Sequence, residues 1–129
     1  DLQVVMRHPR TEDLARVFAG AEAASPVGEE SSRTVADRVR GARQRMQVRN
    51  PDGCGNGLLL AKDLSGILAM EEGARQLWES TLERRQLSVR GGLKVLRLAR
   101  TIADLADQPR VERSAIAEAF SYRSFEPLL

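Results

Sequence analysis

Three cations stand out by their spacing: Arg90, Lys94 and Arg97 lie four and three residues apart in the segment SVRGGLKVLRLARTIADL. In a helix, such residues share one face. Ser88 is a good cap for that helix, so the three bases fall near its start. That end of a helix is already positive, and cations placed there are slightly repelled by the dipole. The arrangement makes sense if an anion such as a phosphate approaches the helix start. Gly91 and Gly92 weaken the first turn by roughly 1 kcal/mol each relative to alanine, and they leave room for a ligand or another backbone. A solvated polar face with two tolerated glycines accounts for the same pattern. Further along, Arg100 can pair with Asp104 one turn on, a contact worth a few tenths of a kcal/mol at a surface.

A second basic stretch runs from Arg33 to Arg49, with Arg38, Arg40, Arg43 and Arg45 between them against Asp37 alone. It follows an acidic stretch containing Glu12, Asp13, Glu22, Glu29 and Glu30. Arg38, Arg43 and Arg45 are candidates for contacting nucleic-acid phosphates or a neighbouring subunit, and a solvated face is the plain alternative. The net charge of +2 does not by itself argue for nucleic acid.

Other chemistry is excluded. No G-x-x-x-x-G-K-[ST] loop is present, so the chain does not cradle a triphosphate alone. His8 is the only histidine and Cys54 the only cysteine, which leaves no zinc site and no Cys–His pair within one chain. The single thiol also rules out an internal disulfide and fits a reducing, cytoplasmic compartment. No apolar run approaches the ~20 residues that span a bilayer. No complete catalytic site is expected.

The elements that would position these residues read as helices. Aromatic residues make up only 4% of the chain, so the core has to come from Leu, Val, Ile and Ala. Leu2, Val4 and Met6 alternate with polar and other residues as in a short strand ended by Pro9, though with no second strand to pair with it. The alternative is a tail packed on helices. Residues 11–30 could hold two or three helical turns carrying Leu14, Val17 and Phe18, then a loop around Ser25, Pro26 and Gly28. A helix opens at Ser31 or Ser32, with Val35, Val39, Ala42 and Met46 as its apolar stripe. The segment NPDGCGNG, residues 50–57, ends it as irregular structure. A shorter helix carries Leu60, Leu64 and Ile67. The next, about residues 71–84, buries Ala74, Leu77, Trp78, Thr81 and Leu82. The long helix after Ser88 reaches about Ala106, with Leu93, Leu96, Ala99, Ile102 and Ala106 inward, and Pro109 breaks it. A last helix, about residues 112–122, buries Ile116, Ala119 and Phe120. The expected fold is all-α, a bundle of four to five helices with a short orphan N-terminal strand.

At the long helix the sequence resembles the C-terminal domain of the magnesium-chelatase-like AAA+ ATPases, the ComM competence-protein group. GEESSRTVADRVRGARQRM is similar to that family's glycine-glutamate-serine segment and arginine-rich helix, RVERSAIAEAFSYR to its terminal helix, and DLQVVM to the last strand of its ATPase core. Gly91-Gly92 and the linker 50–60 depart from the pattern. The resemblance implies a division into a remnant strand (1–10), a connecting segment (11–30), a helical lid (31–124) and a tail (125–129). It implies that Arg90 is the sensor-2 arginine, with Lys94 and Arg97 as a supporting basic face. It also implies ATP and Mg2+ in the full-length protein, with neither bound by this segment alone. The partners it implies are an ATPase core supplied from before Asp1, a homo-oligomer of hexameric type and DNA, with no membrane. A stand-alone helical module that binds DNA or protein is the competing expectation.

Overall fold

The computed structural model describes residues 2–6, 8, 10–18 and 30–123. Its helices are α1 (Thr11–Phe18), α2 (Ser32–Arg49), α3 (Ala61–Ile67), α4 (Glu72–Arg85), α5 (Val89–Leu105) and α6 (Arg113–Ser121). The chain is all-α, and α2 to α6 form the bundle. The loop expected around Ser25, Pro26 and Gly28 and the tail 125–129 lie outside the described residues.

Local chemistry sets the helix ends where the sequence suggests. Ser31 caps α2 by accepting from the Thr34 N–H, and Ser88 caps α5 by accepting from the Gly91 N–H. At the far end of α5 the backbone of Asp107 turns left-handed, with φ 57°. The Gln108 N–H then returns to the Ala103 carbonyl at 2.8 Å and the Asp107 N–H to the Asp104 carbonyl at 3.2 Å. These are the two bonds of a Schellman stop. This stop, one turn ahead of the Pro109 break, leaves Ala106 exposed rather than inward.

α5 is the central element. It packs against α6 and α2 and, more lightly, against α3, while α4 lies on α6. Ala99 and Ala103 on α5 and Ala115 and Ala119 on α6 repeat at four-residue spacing and are all buried. Such small side chains let the two helix backbones approach closely. Val95, Ile116, Phe120, Leu64, Leu68, Ala74 and Val111 close the core around them. The linkers on either side of α4–α5 are tied by a single bridge between Met70 and Val111. There the Glu71 N–H donates to the Val111 carbonyl at 3.0 Å.

Several expectations need correction. Leu2–Met6 takes no regular structure, and its residues are exposed. Among the described residues there is no strand to supply its ladder, and a lone alternating run cannot make one. It is held instead by the Gln3 N–H donating to the Tyr122 carbonyl at 3.0 Å. Val35 and Val39 are exposed because the first half of α2 extends beyond the helices it packs on, so only Ala42 of the expected stripe is fully buried. Leu60 is exposed too, and Leu59 and Leu68 take inward positions in its place. The segment 50–57 is not wholly irregular: it contains the 3-10 turns Pro51–Gly53 and Asn56–Leu58.

Gly92 explains itself at the α4–α5 contact. A Cβ there would meet Leu82 Cδ2 at 3.1 Å and Trp78 Cζ2 at 3.3 Å. Gly73, in the first turn of α4, has nothing within 4 Å of an added Cβ. Gly92→Val is therefore expected to lower stability by about 1–3 kcal/mol through overpacking. Gly73→Ala is expected to raise it by about 0.5 kcal/mol through helix propensity and reduced unfolded-state freedom. Urea denaturation of the two variants checks both signs.

Candidate functional site

The first turn of α5 displays Arg90 to solvent. The side chain makes no hydrogen bond or ion pair with any described residue and lies beside the positive end of the helix. The two glycines that follow are both buried. Gly92 accommodates α4, as shown above, and its carbonyl accepts from Trp78 Nε1 at 3.2 Å. Gly91 faces the chain's far end: a Cβ there would lie 3.6 Å from Arg123 Nη2. The close approach that the glycines permit is thus taken up within the bundle.

Lys94 and Arg97 follow Arg90 along α5 and are half-buried. Both line a cleft of about 260 Å³ that Arg90 does not line. The Arg97 Nε donates to the Leu59 carbonyl at 2.9 Å, which fixes the guanidinium across the loop before α3.

The arginines expected to form one face of α2 take different positions. Arg38 is exposed and paired with Glu30. Arg43 is exposed beside a groove that also includes Val39, Met46 and Leu105. Arg45 turns inward to the C-terminal end of α5, where its Nη1 donates to the Asp104 carbonyl at 2.9 Å and its Nη2 pairs with Asp107 at 2.6 Å. A cation at that negative end is favourable.

The strongest electrostatic feature is one that spacing reveals only in part. Arg100 and Asp104 do pair, at 3.1 Å, but each side chain is only 1% exposed. The expected surface contact is a buried one, because α5 is covered on this side by α2 and by the linkers. Asp104 also takes a bidentate grip from Arg49, at 2.7 and 3.0 Å, and a 2.8 Å bond from Asn56 Nδ2. Asn56 in turn accepts from Arg49 Nη2 at 2.9 Å and from Asn50 Nδ2 at 2.9 Å. Arg100 spends its remaining donors on backbone, reaching the carbonyls of Leu68, Gln108 and Pro109 at 3.1, 2.7 and 3.2 Å. Its buried Nε has no hydrogen-bond partner. Burial pushes the Arg100 guanidinium below its ordinary range against the pull of Asp104. Burial also acts to raise the Asp104 carboxyl. The hydrogen bonds from Arg49 and Asn56 and the charges of Arg100 and Arg49 outweigh it and hold the carboxyl below its ordinary value.

His8 is exposed, Cys54 is a half-buried free thiol, and Trp78 packs against the core. Among the described residues no group of His, Cys, Asp or Glu could hold a metal ion. Nor is any helix long and apolar enough to cross a membrane.

The described residues form an all-α domain with a buried polar centre at one end of its central helix and Arg90 exposed at the other. Residues 29–123 match the family described as magnesium chelatase, subunit ChlI C-terminal, and the chain belongs to that family. It is 35% identical over 100 residues to the uncharacterized protein YifB of Escherichia coli, an alignment covering 78% of this chain and 19% of that protein. The Salmonella typhimurium protein of the same name is 33% identical over 100 residues, with the same coverage. The chain therefore spans about a fifth of the length of the curated relatives it matches.

Asp104→Asn removes the one negative charge between Arg49 and Arg100. It is expected to cost about 3–5 kcal/mol, since it strands buried cations. The depressed Asp104 pKa adds stability that is fully present above the ordinary value of 3.8 and is lost as the pH falls through the lower native value. Thermal melting between pH 6 and about pH 2 should show this acid loss in the native chain and a flatter profile in Asp104→Asn.

Proposed function

We propose that this chain is the lid of a magnesium-chelatase-like AAA+ ATPase of the ComM group, closing over ATP held by the rest of the protein. Arg90 is the residue that carries the reading. It is exposed at the head of the central helix and without a partner among the described residues, and the resemblance of its segment to the family's sensor-2 motif supports the assignment. The rigid cluster at the opposite end of α5 supports the same role, because a lid that delivers a cation to a phosphate needs a helix that does not flex. In this reading Arg90 meets the nucleotide's terminal phosphate and stabilises the charge that develops as the phosphoryl group transfers. The bound Mg2+ is held by residues outside this chain and supplies charge neutralisation at the phosphates. The segment itself orients and closes.

The parent assembly is then a homo-oligomeric ring of hexameric type, and similarity to the ComM group supports DNA as what it remodels. The competing reading, a free-standing DNA-binding face on α2, loses support. Arg45 and Arg49 are engaged inside the domain and Arg38 and Arg40 hold carboxylates of their own.

In the full-length protein, Arg90→Ala is expected to lower ATP turnover by roughly 10²-fold. In the 129-residue chain the same change should leave stability within about 0.5 kcal/mol, as for an exposed residue with no hydrogen bond or ion pair among the described residues. Unchanged turnover would remove Arg90 from the nucleotide site.

A further inference from the structure

The glycine-rich loop between α2 and α3 places a chemically reactive pair of residues inside the polar cluster. Asn56 is followed by Gly57, and the chain has one other asparagine, Asn50. An asparagine side chain can be attacked at Cγ by the backbone nitrogen of the residue that follows it. Glycine in that position hinders the attack least, because it has no Cβ. Asn50 does not react in this way, since its successor Pro51 has no backbone N–H.

In the folded chain Asn56 is held away from this reaction. It is 2% exposed. Its Nδ2 donates to Asp104 Oδ2 at 2.8 Å and to Thr101 Oγ1 at 3.1 Å. Its Oδ1 accepts from Arg49 Nη2 and from Asn50 Nδ2, both at 2.9 Å. Both amide hydrogens and both oxygen lone pairs are thereby used. Turning Cγ onto the Gly57 nitrogen breaks these bonds together and leaves buried polar partners unsatisfied. Gly57 itself is exposed, and the fold makes no demand for glycine there. An added Cβ meets nothing within 4 Å, and the backbone is not left-handed.

We propose that Asn56–Gly57 is a self-modification site, locked while the cluster is formed and released when the loop between α2 and α3 opens. The Gly57 nitrogen forms a bond to Asn56 Cγ and gives up its proton. The Cγ–Nδ2 bond breaks, and Nδ2 leaves with a proton as ammonia. Water then opens the cyclic imide at either carbonyl, leaving an aspartate or an isoaspartate. Water is the only co-reactant, and nothing is oxidised or reduced. The product does not rebuild the cluster. Aspartate puts an oxygen where Nδ2 donated to Asp104, so two carboxylates face each other at one buried point. Isoaspartate also lengthens the backbone by a methylene and shortens the side chain that reaches α5. A transient opening at this end of α5 thus becomes a permanent change. The proposal does not depend on the ATPase reading.

The test ages the 129-residue chain at mildly alkaline pH and follows the mass of the peptide that contains Asn56, which rises as amide becomes carboxyl. Conversion in guanidinium chloride above the unfolding transition is expected to be at least about tenfold faster than in buffer, because in buffer it waits on local opening. Gly57→Ala should slow conversion in denaturant severalfold by hindering the attack, while the side chains of the cluster stay in place. After dilution from denaturant, the aged chain should lose cooperative melting in proportion to the Asn56 converted. Gly57→Ala aged alongside should refold, and damage elsewhere in the sequence is common to both chains. Equal conversion in buffer and denaturant would overturn the lock, and unslowed conversion in Gly57→Ala would overturn the chemistry. Converted chains that melt like the unaged chain would overturn the consequence. The comparison of buffer with denaturant uses the unaltered sequence, so it stands whether or not Gly57→Ala folds.

Discussion

One carboxylate fixes the geometry of the bundle. Asp104, fully buried near the C-terminal end of α5, is held by Arg49 from α2, Arg100 from α5 and Asn56 from the loop between α2 and α3. Through Arg100 the same group reaches the carbonyls of Leu68, Gln108 and Pro109, which close the linkers around α4 and α6. Buried ion pairs of this kind contribute little net stability compared with a well-packed apolar core. Their effect is on which arrangement is adopted. An apolar replacement could fill the volume, but it could not satisfy three linker carbonyls and a second arginine at once. The aliphatic core of alanines and leucines is permissive in register, and the polar cluster makes it specific.

With that end of α5 pinned, the opposite end becomes the exposed one. The two ends differ electrostatically in a useful way. At the C-terminus, the left-handed backbone of Asp107 closes the helix and Arg45 offsets its negative pole. At the N-terminus, Ser88 caps the first turn, and that turn carries Arg90 and no acidic residue. A helix locked at one end and cationic at the other is suited to carry charge to a phosphate supplied from outside.

Much of this was legible in the sequence. Serines 31 and 88 announced two helix starts because a capping hydroxyl is a local signal. The inward faces of α4 and α6 followed from periodicity, with Ala74, Thr81, Ile116, Ala119 and Phe120 all buried. The Arg100–Asp104 pair was visible from its spacing. Its burial was not, because nothing local tells that α2 and two linkers cover that face. Arg45 and Arg49 looked like part of a solvated basic stripe for the same reason: an arginine that binds a distant carboxylate has the same sequence signature as one in water. The one available signal was the pair Asn50 and Asn56 flanking a glycine-rich loop, since amides there can serve a buried charge. The strand expected at Leu2–Met6 failed because alternation describes a strand only when a partner supplies its ladder.

The central claim is that α5 delivers Arg90 to a nucleotide bound by the rest of a longer protein. A structure of that full-length protein with a non-hydrolysable ATP analogue and Mg2+ tests it most directly. The account requires an Arg90 guanidinium nitrogen within about 3 Å of a phosphate oxygen, at hydrogen-bond distance. A bound nucleotide with Arg90 directed into solvent, or with another cation from this domain at the phosphates, would contradict it.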